Sequence, residues 1–258
     1  SMNIVEKMNR LQAKNILITG ASSGIGKECA YRCYEEGAKV HLIGRNKVSL
    51  NDIYSQLNDD NNSISVLDLR DFENYPKVIE NIVTTHGKLD GFIHSAGYQI
   101  TLPISAMNYQ MYNDIFAVNT ISAFEFIRLL SKKNYGNLSG MSIVLIASVM
   151  SVVADIALTA YCATKSALVG GAKALALELA NKGIRVNCIS PGTLADTAMT
   201  ENLRKQISEE EFHRIEQEYP MGLGSTKDIS SLCLFLLSED SKWITGQNII
   251  IDGGLSVR

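Results

Sequence analysis

The chain has 258 residues, 46% of them hydrophobic and 20% charged, and its 24 basic and 27 acidic side chains leave a formal net charge of -3. This profile is that of an ordinary globular protein without the broad positive field of a nucleic-acid or anionic-membrane binder, so neither is an expected partner. The 5 cysteines, Cys29, Cys33, Cys162, Cys188 and Cys233, are scattered with no CxxC pair, which argues against zinc or dithiol chemistry, gives no expected metal site and fits a reduced cytoplasmic setting.

Ser1 ahead of Met2 reads as a remnant of cloning, and residues 1–15 lack the apolar core of a signal peptide. No stretch approaches the roughly 20 apolar residues of a membrane span. Ile16-Leu17-Ile18 is a short apolar strand ending at Thr19-Gly20, and a helical pattern through Ile25, Cys29, Ala30, Cys33 and Tyr34 follows and stops at Gly37. The alternation repeats with strands over 39–43, 63–67 and 91–94 and helices over 47–57 and 74–85. A long helical stretch covers 108–133. Strands over 142–147, 185–189 and 248–251 then alternate with helices over 159–181 and 227–237. Short β-branched strands separated by helices predict an α/β fold, a doubly wound parallel sheet of about seven strands in a three-layer α/β/α sandwich. No linker, low-complexity tract or repeat interrupts it, so 1–258 reads as a single domain holding both cofactor and substrate sites. The least regular region is 193–224, with a charged helical stretch over 201–218. Ligands in such folds bind beyond the carboxyl ends of the strands, which makes 193–224 a candidate substrate-binding lid; a solvated helical pair is the alternative.

The turn after the first strand reads Thr19-Gly20-Ala21-Ser22-Ser23-Gly24-Ile25-Gly26. Glycines between a strand and a helix let the backbone approach a pyrophosphate, and the helix N-terminus offers it free N–H groups and a positive dipole end. A merely structural tight turn is the alternative. A Walker A loop is excluded, because it would need Gly at Ala21 and Ser or Thr at Glu28. At the end of the second strand, where dinucleotide folds read the adenosine ribose, Gly44 and Arg45 stand in place of an acidic residue. Arginine pairs with a 2′-phosphate, so NADP(H) is expected over NAD(H); NAD(H) stays open, with Arg45 then a solvent-facing loop residue.

Tyr161 and Lys165 are spaced i and i+4 in Tyr161-Cys162-Ala163-Thr164-Lys165, which puts a phenol and an ammonium on one helix face. A nearby cation stabilises phenolate and lowers a tyrosine pKa from its reference of about 10, which would make Tyr161 a general acid for carbonyl reduction and a base for alcohol oxidation. Upstream, at a strand end, the Ser148 hydroxyl is placed to hydrogen-bond a carbonyl oxygen as negative charge develops on it. Asn119, in Ala117-Val118-Asn119-Thr120, is an amide among apolar neighbours that needs a partner. Each has a plain alternative: a helix asparagine bonded to backbone, a strand-end serine, a packed aromatic, a surface lysine.

The T-G-x-x-x-G-x-G loop, with Asn119, Ser148, Tyr161 and Lys165 in that order, resembles the short-chain dehydrogenase/reductase family, and the likeness spans residues 14–252. The resemblance implies a Rossmann fold and an Asn-Ser-Tyr-Lys catalytic tetrad. In that tetrad Asn119 holds a water that leads protons to Lys165, and Lys165 also binds the nicotinamide ribose, so that Asn119, Tyr161 and Lys165 count as cofactor-binding too. It further implies cofactor contacts from Gly20, Ser22, Ser23, Gly24, Ile25 and Gly26, from Asp68-Leu69 at the adenine, and from Ala96-Gly97 beside the cofactor. Pro191-Gly192 and Thr197 are implied at the nicotinamide side. Where the family has Asn-Asn before Ala-Gly, this chain has His94-Ser95, leaving open which bonds replace those of the asparagines to the sheet; a lone strand-end histidine is more often structural than catalytic.

The implied activity is hydride transfer between a nicotinamide cofactor and a ketone or secondary alcohol. The nearest look is to 3-oxoacyl-(acyl-carrier-protein) reductases, which would make acyl carrier protein a partner met near Lys182, although the second basic position there is Ser139. A sugar, polyol or other small-alcohol dehydrogenase is the enzymatic alternative. A nucleotide-sensing or scaffold protein is the alternative of another class; loss of Tyr161 or Lys165 would be its signature, and both are present. Val149, Met150, Val152 and Met199 suggest an apolar substrate wall, with core packing as the other explanation. The family is commonly homotetrameric, and the small residues Ala167, Gly170, Gly171 and Ala174 would permit close helix packing between subunits, with intrachain packing as the alternative.

Overall fold

The computed structural model describes residues 9–258, and the reading of Ser1 and the residues up to 8 lies outside the described residues. The apolar runs form strands β1 (Asn15–Thr19), β2 (Lys39–Gly44), β3 (Ser63–Val66), β4 (Gly91–His94), β5 (Ser142–Ile146), β6 (Arg185–Pro191) and β7 (Asn248–Ile251). They make one 7-stranded parallel sheet in the order β3-β2-β1-β4-β5-β6-β7. The order reverses between β1 and β4, the place where a doubly wound sheet opens a crevice. There Thr19 pairs with Ile43 of β2 on one side and His94 of β4 on the other, so three carboxyl ends lie level.

Helices α1 (Gly24–Glu35), α2 (Lys47–Leu57) and α9 (Thr226–Leu237) cover one face of the sheet, and α3 (Tyr75–His86), α5 (Ser122–Leu130) and α6 (Thr159–Leu179) cover the other. Successive strand residues alternate between the two layers: Ile16, Ile18 and Val40 meet Cys29, Leu50 and Leu234, whereas Leu17, Phe92 and Val186 meet Ile82, Phe126 and Leu168. Burial on both faces of the central strands β1, β4 and β5 is why these read as largely apolar runs. Each fully buried Leu or Ile contributes about 1.5–3 kcal/mol of transfer free energy. No helix among the described residues is long and apolar enough to cross a membrane.

Three local departures from the sequence pattern shape the cleft. The stretch expected as one helix over 108–133 is α4 (Tyr109–Phe116), capped by Asn108, followed by a π-turn at Ala117–Ile121 and then α5. The wider i→i+5 turn rotates Asn119 to full burial behind the cleft. Second, the irregular region folds as α7 (Ala198–Gln206), capped by the Thr197 side chain, and α8 (Glu209–Gln217), opened by a Ser208–Glu211 capping box. Third, the ends of that region meet: Ala195 N donates to Gly224 O at 2.8 Å and Gly224 N to Thr193 O at 3.2 Å. The helical pair is therefore pinned at its base over the carboxyl ends of the strands.

Candidate active site

A cleft of about 700 Å³ opens at the carboxyl ends of the strands. Its floor is made by the glycine turn. Gly20 has φ +67°, and a Cβ on it would stand 2.6 Å from the backbone N of Ala96, so β1 and the segment after β4 touch only because Gly20 has no side chain. Gly24, at φ +52°, starts α1 at the cleft, and the preceding Ser23 makes no side-chain cap, leaving the first-turn N–H groups without a side-chain partner. Ser22 and Ile25 also line it. Gly26 does not; a Cβ there would collide with the Gly20 carbonyl, so this glycine serves the packing of turn against helix.

Arg45 stands exposed at the end of β2 beside Gly44, whose missing Cβ lets Ser22 Oγ approach. Asp68 and Leu69 line the same end. The sequence reading missed the partner of Asp68: Arg70 Nε donates to Oδ1 at 3.0 Å and Nη2 to Oδ2 at 2.6 Å. These bonds hold the carboxyl down at about 2. The signal was the spacing in Asp68-Leu69-Arg70.

Ser148, Tyr161 and Lys165 converge on the opposite wall. Ser148 lies just past the end of β5 and accepts from Met150 N at 3.2 Å, lining the cleft as the chain enters a short 3₁₀ turn. Tyr161 and Lys165 project from one face of α6, with Nζ 5.7 Å from the centre of the phenol ring. Lys165 is 4% exposed and donates to the Ile146 carbonyl at 2.9 Å. Burial pushes its proton affinity down to about 8. The expected lowering of the Tyr161 pKa is not found: burial raises it, with the neighbouring Ser148 hydroxyl opposing. In this cleft desolvation of the phenolate sets the direction, so Tyr161 is held as the neutral, proton-bearing phenol.

Asn119 does not line the cleft. Its Oδ1 accepts from Tyr98 N at 3.0 Å, and its Nδ2 donates to Tyr98 O at 2.9 Å and Thr164 Oγ1 at 3.1 Å. The amide thereby ties the segment after β4 to α6 between Tyr161 and Lys165. Gly97 is wedged there, since a Cβ would stand 3.2 Å from both Asn119 Oδ1 and Lys165 Nζ. Ala96 and Gly97 line the cleft, as do Pro191, Gly192 and Thr197 from the far side. Thr197 faces the glycine turn, its methyl 4.0 Å from where a Gly24 Cβ would be. Gly192 leaves room for Tyr219, whose hydroxyl accepts from Thr193 N at 3.0 Å; this brace of the helical pair had no sequence signal.

Other expectations fall elsewhere. Val149, Met150 and Met199 reach the cleft wall and Val152 does not. Lys182 and Ser139 line a separate open cavity with Lys88 and Lys133, at the amino ends of β4 to β6 and away from the cleft mouth. Gly171 packs against Phe124 of α5 within the chain, whereas Gly170 faces open space. Among the described residues there is no group of three or more His, Cys, Asp or Glu side chains arranged to hold a metal.

A family model described as "Enoyl-(Acyl carrier protein) reductase" matches residues 20–256. The 3-oxoacyl-(acyl-carrier-protein) reductase FabG of Thermotoga maritima is 32% identical over 251 residues, covering 96% of this chain and 100% of the relative. Glucose 1-dehydrogenase of Gluconobacter oxydans is 29% identical over 253 residues, covering 96% and 94%. Among solved structures, a variant of actinorhodin polyketide ketoreductase with NADPH superposes with a TM-score of 0.88 at 27% identity, covering 95% of this chain and 98% of that one.

Proposed function

The chain belongs to the short-chain dehydrogenase/reductase family and is an oxidoreductase; from that premise we propose that it is an NADP(H)-dependent enzyme interconverting a ketone and a secondary alcohol, with Asn119, Ser148, Tyr161 and Lys165 as its working residues. The observation that carries this reading is the meeting of Ser148, Tyr161 and Lys165 in the same cleft as the glycine turn.

The residues present fit a nicotinamide dinucleotide. The missing Cβ of Gly20, the uncapped first turn of α1 at Ser23 and Gly24, and exposed Arg45 offer a close backbone, N–H donors and a cation to pyrophosphate and 2′-phosphate. Asp68, Leu69, Ala96, Gly97, Pro191, Gly192 and Thr197 complete the walls. Bound there, the nicotinamide supplies or accepts the hydride at the substrate carbon. Ser148 donates a hydrogen bond to the carbonyl oxygen as charge builds on it. Tyr161, kept neutral by burial, gives its phenolic proton to that oxygen, a general-acid contribution of about 10²–10⁴-fold. Lys165, anchored on Ile146 O, places a positive charge behind the phenol and stabilises it once the proton has left. Asn119 keeps the backbone after β4 and the start of α6 in register.

A 3-oxoacyl thioester is the substrate class this reading favours, supported by the name of the Thermotoga maritima relative and by the apolar wall of Val149, Met150 and Met199. Acyl carrier protein is then the carrier. Residues 193–224 act as the lid of a single domain, and the working form is a homotetramer in the cytoplasm. The glucose 1-dehydrogenase relative favours a second reading, a sugar or polyol dehydrogenase. The test is a turnover screen with NADPH over 3-oxoacyl and enoyl thioesters and cyclic ketones, and with NADP+ over aldoses and polyols. Oxidation of NADPH with 3-oxoacyl thioesters as best substrates is expected. A sugar-only profile replaces the substrate assignment, and NADPH binding without turnover of any substrate refutes the activity.

A further inference from the structure

His94 is a fully buried ionisable side chain to which the activity proposed above assigns no part. It ends β4 directly beneath the cleft, and both ring nitrogens are engaged. Nδ1 lies 2.8 Å from the Thr19 hydroxyl and Nε2 lies 3.3 Å from the backbone carbonyl of Asn119. A carbonyl only accepts, so Nε2 holds the proton; Nδ1 is then the acceptor and Thr19 Oγ1 the donor. The Asn119 carbonyl thus fixes the tautomer, and the Thr19 hydroxyl complements it by donating to Nδ1. Burial and the positive charge of Lys165 push the ring's proton affinity down to about 3, so it stays neutral at physiological pH.

The bond ends at a mechanically sensitive place. Asn119 sits in the middle of the π-turn Ala117–Ile121, where the helical ladder is widened. Its side chain clamps the backbone of Tyr98 from both sides, and neighbouring Gly97 lies so close to Asn119 Oδ1 and Lys165 Nζ that no Cβ fits without displacing one of them. A path of direct contacts therefore runs from β1 through Thr19, His94 and Asn119 to the wall against which the Lys165 ammonium rests. A shift of the π-turn would be passed to Lys165, and with it to Tyr161.

We propose that His94 is a positioning residue for the Tyr161–Lys165 pair, its Nε2–H fastening the Asn119 carbonyl to the central strands while the Thr19 hydroxyl holds the ring through Nδ1. This assignment rests on the reading of Tyr161 and Lys165 as the proton-handling pair.

Three variants test it. His94→Phe keeps the ring's bulk without a donor, His94→Gln restores a donor near the Nε2 position, and Thr19→Val removes the hydroxyl that holds the ring at Nδ1 with little change of shape. His94→Phe and Thr19→Val are expected to lower kcat for ketone reduction about tenfold or more, with the Kd for NADPH changed less than about twofold. Both should displace the alkaline midpoint of the kcat–pH profile by about half a unit or more, and His94→Gln should recover most of kcat. Wild-type kcat and pH profile in folded His94→Phe overturn the proposal, even if thermal stability falls. Should that variant not fold, the same wild-type behaviour in Thr19→Val overturns it. A wild-type protein that binds NADPH and reduces no ketone refutes the activity first, and the positioning role falls with it.

Discussion

Lys165 Nζ donates to the carbonyl oxygen of Ile146 at 2.9 Å, so this buried cation of the cleft is moored to the last residue of β5, just before Ser148. Burial lowers its proton affinity to about 8, which makes Lys165 charged below that pH and neutral above it. The charge behind Tyr161 is therefore lost as pH rises. The expected kcat for ketone reduction is level from about pH 6 to 7 and falls with a midpoint near the Lys165 value of about 8. Lys165→Met is expected to lower kcat by about 10²-fold or more and to abolish that limb. An alkaline limb unchanged in this variant would assign it to another group.

Arg45 and Asp68 set the charge at the adenosine end of the cleft. With Asp68 neutralised by Arg70, Arg45 remains as the exposed cation available to a 2′-phosphate. Arg45→Ala should raise the KM for NADPH about tenfold or more and leave that for NADH within about twofold. Equal or better catalytic efficiency with NADH in the parent protein, unchanged by the substitution, would refute the phosphate-binding role.

The contact between Gly20 and Ala96 bears on stability as well as binding. Gly20→Ala combines a left-handed backbone, φ +67°, with a Cβ 2.6 Å from Ala96 N and 2.9 Å from Ser95 C, atoms that cannot rotate away. A cost of about 2–3 kcal/mol is expected, lowering Tm by about 5–10 °C, together with loss of dinucleotide affinity. Calorimetry and fluorescence titration with NADPH check both. An unshifted Tm would mean that the turn relaxes freely.

Two histidines make the fold sensitive to acid. His41, bonded to Ser63 and Asn15, and His94, bonded to Thr19 and the Asn119 carbonyl, are held by burial at about 3, against about 6.5 in an unfolded chain. Below pH 6.5 the unfolded chain takes up protons that the folded one refuses. Stability therefore falls as pH drops from about 6.5 toward 4.5, at up to about 1.4 kcal/mol per pH unit for each histidine. A Tm that does not fall between pH 7 and 5 would contradict this account.

What was legible in the sequence was what lies along the chain. Short apolar runs separated by amphipathic stretches marked the sheet, because central strands buried on both faces carry few polar positions. The i, i+4 spacing of Tyr161 and Lys165 put both on one helix face without any knowledge of the tertiary fold. What escaped notice depends on contacts between distant segments. The stretch over 108–133 has helical periodicity throughout, and nothing in it distinguishes a π-turn at Ala117–Ile121 from a regular turn. The Tyr219 hydroxyl meets Thr193 across the base of the helical pair, and His94 meets both Thr19 and Asn119. The direction of the Tyr161 shift was misjudged for a similar reason: spacing reveals the cation beside the phenol but not the depth at which both are buried.

In the mechanism proposed for this cleft, the phenolic proton of Tyr161 is the one passed to the substrate oxygen. Single-turnover reduction of a 3-oxoacyl thioester or cyclic ketone by NADPH, compared between the parent protein and Tyr161→Phe, tests it most directly. The expected result is a loss of about 10³-fold or more in the rate of hydride transfer with the Kd for NADPH unchanged within about twofold. Hydride transfer at the parent rate in Tyr161→Phe would contradict it.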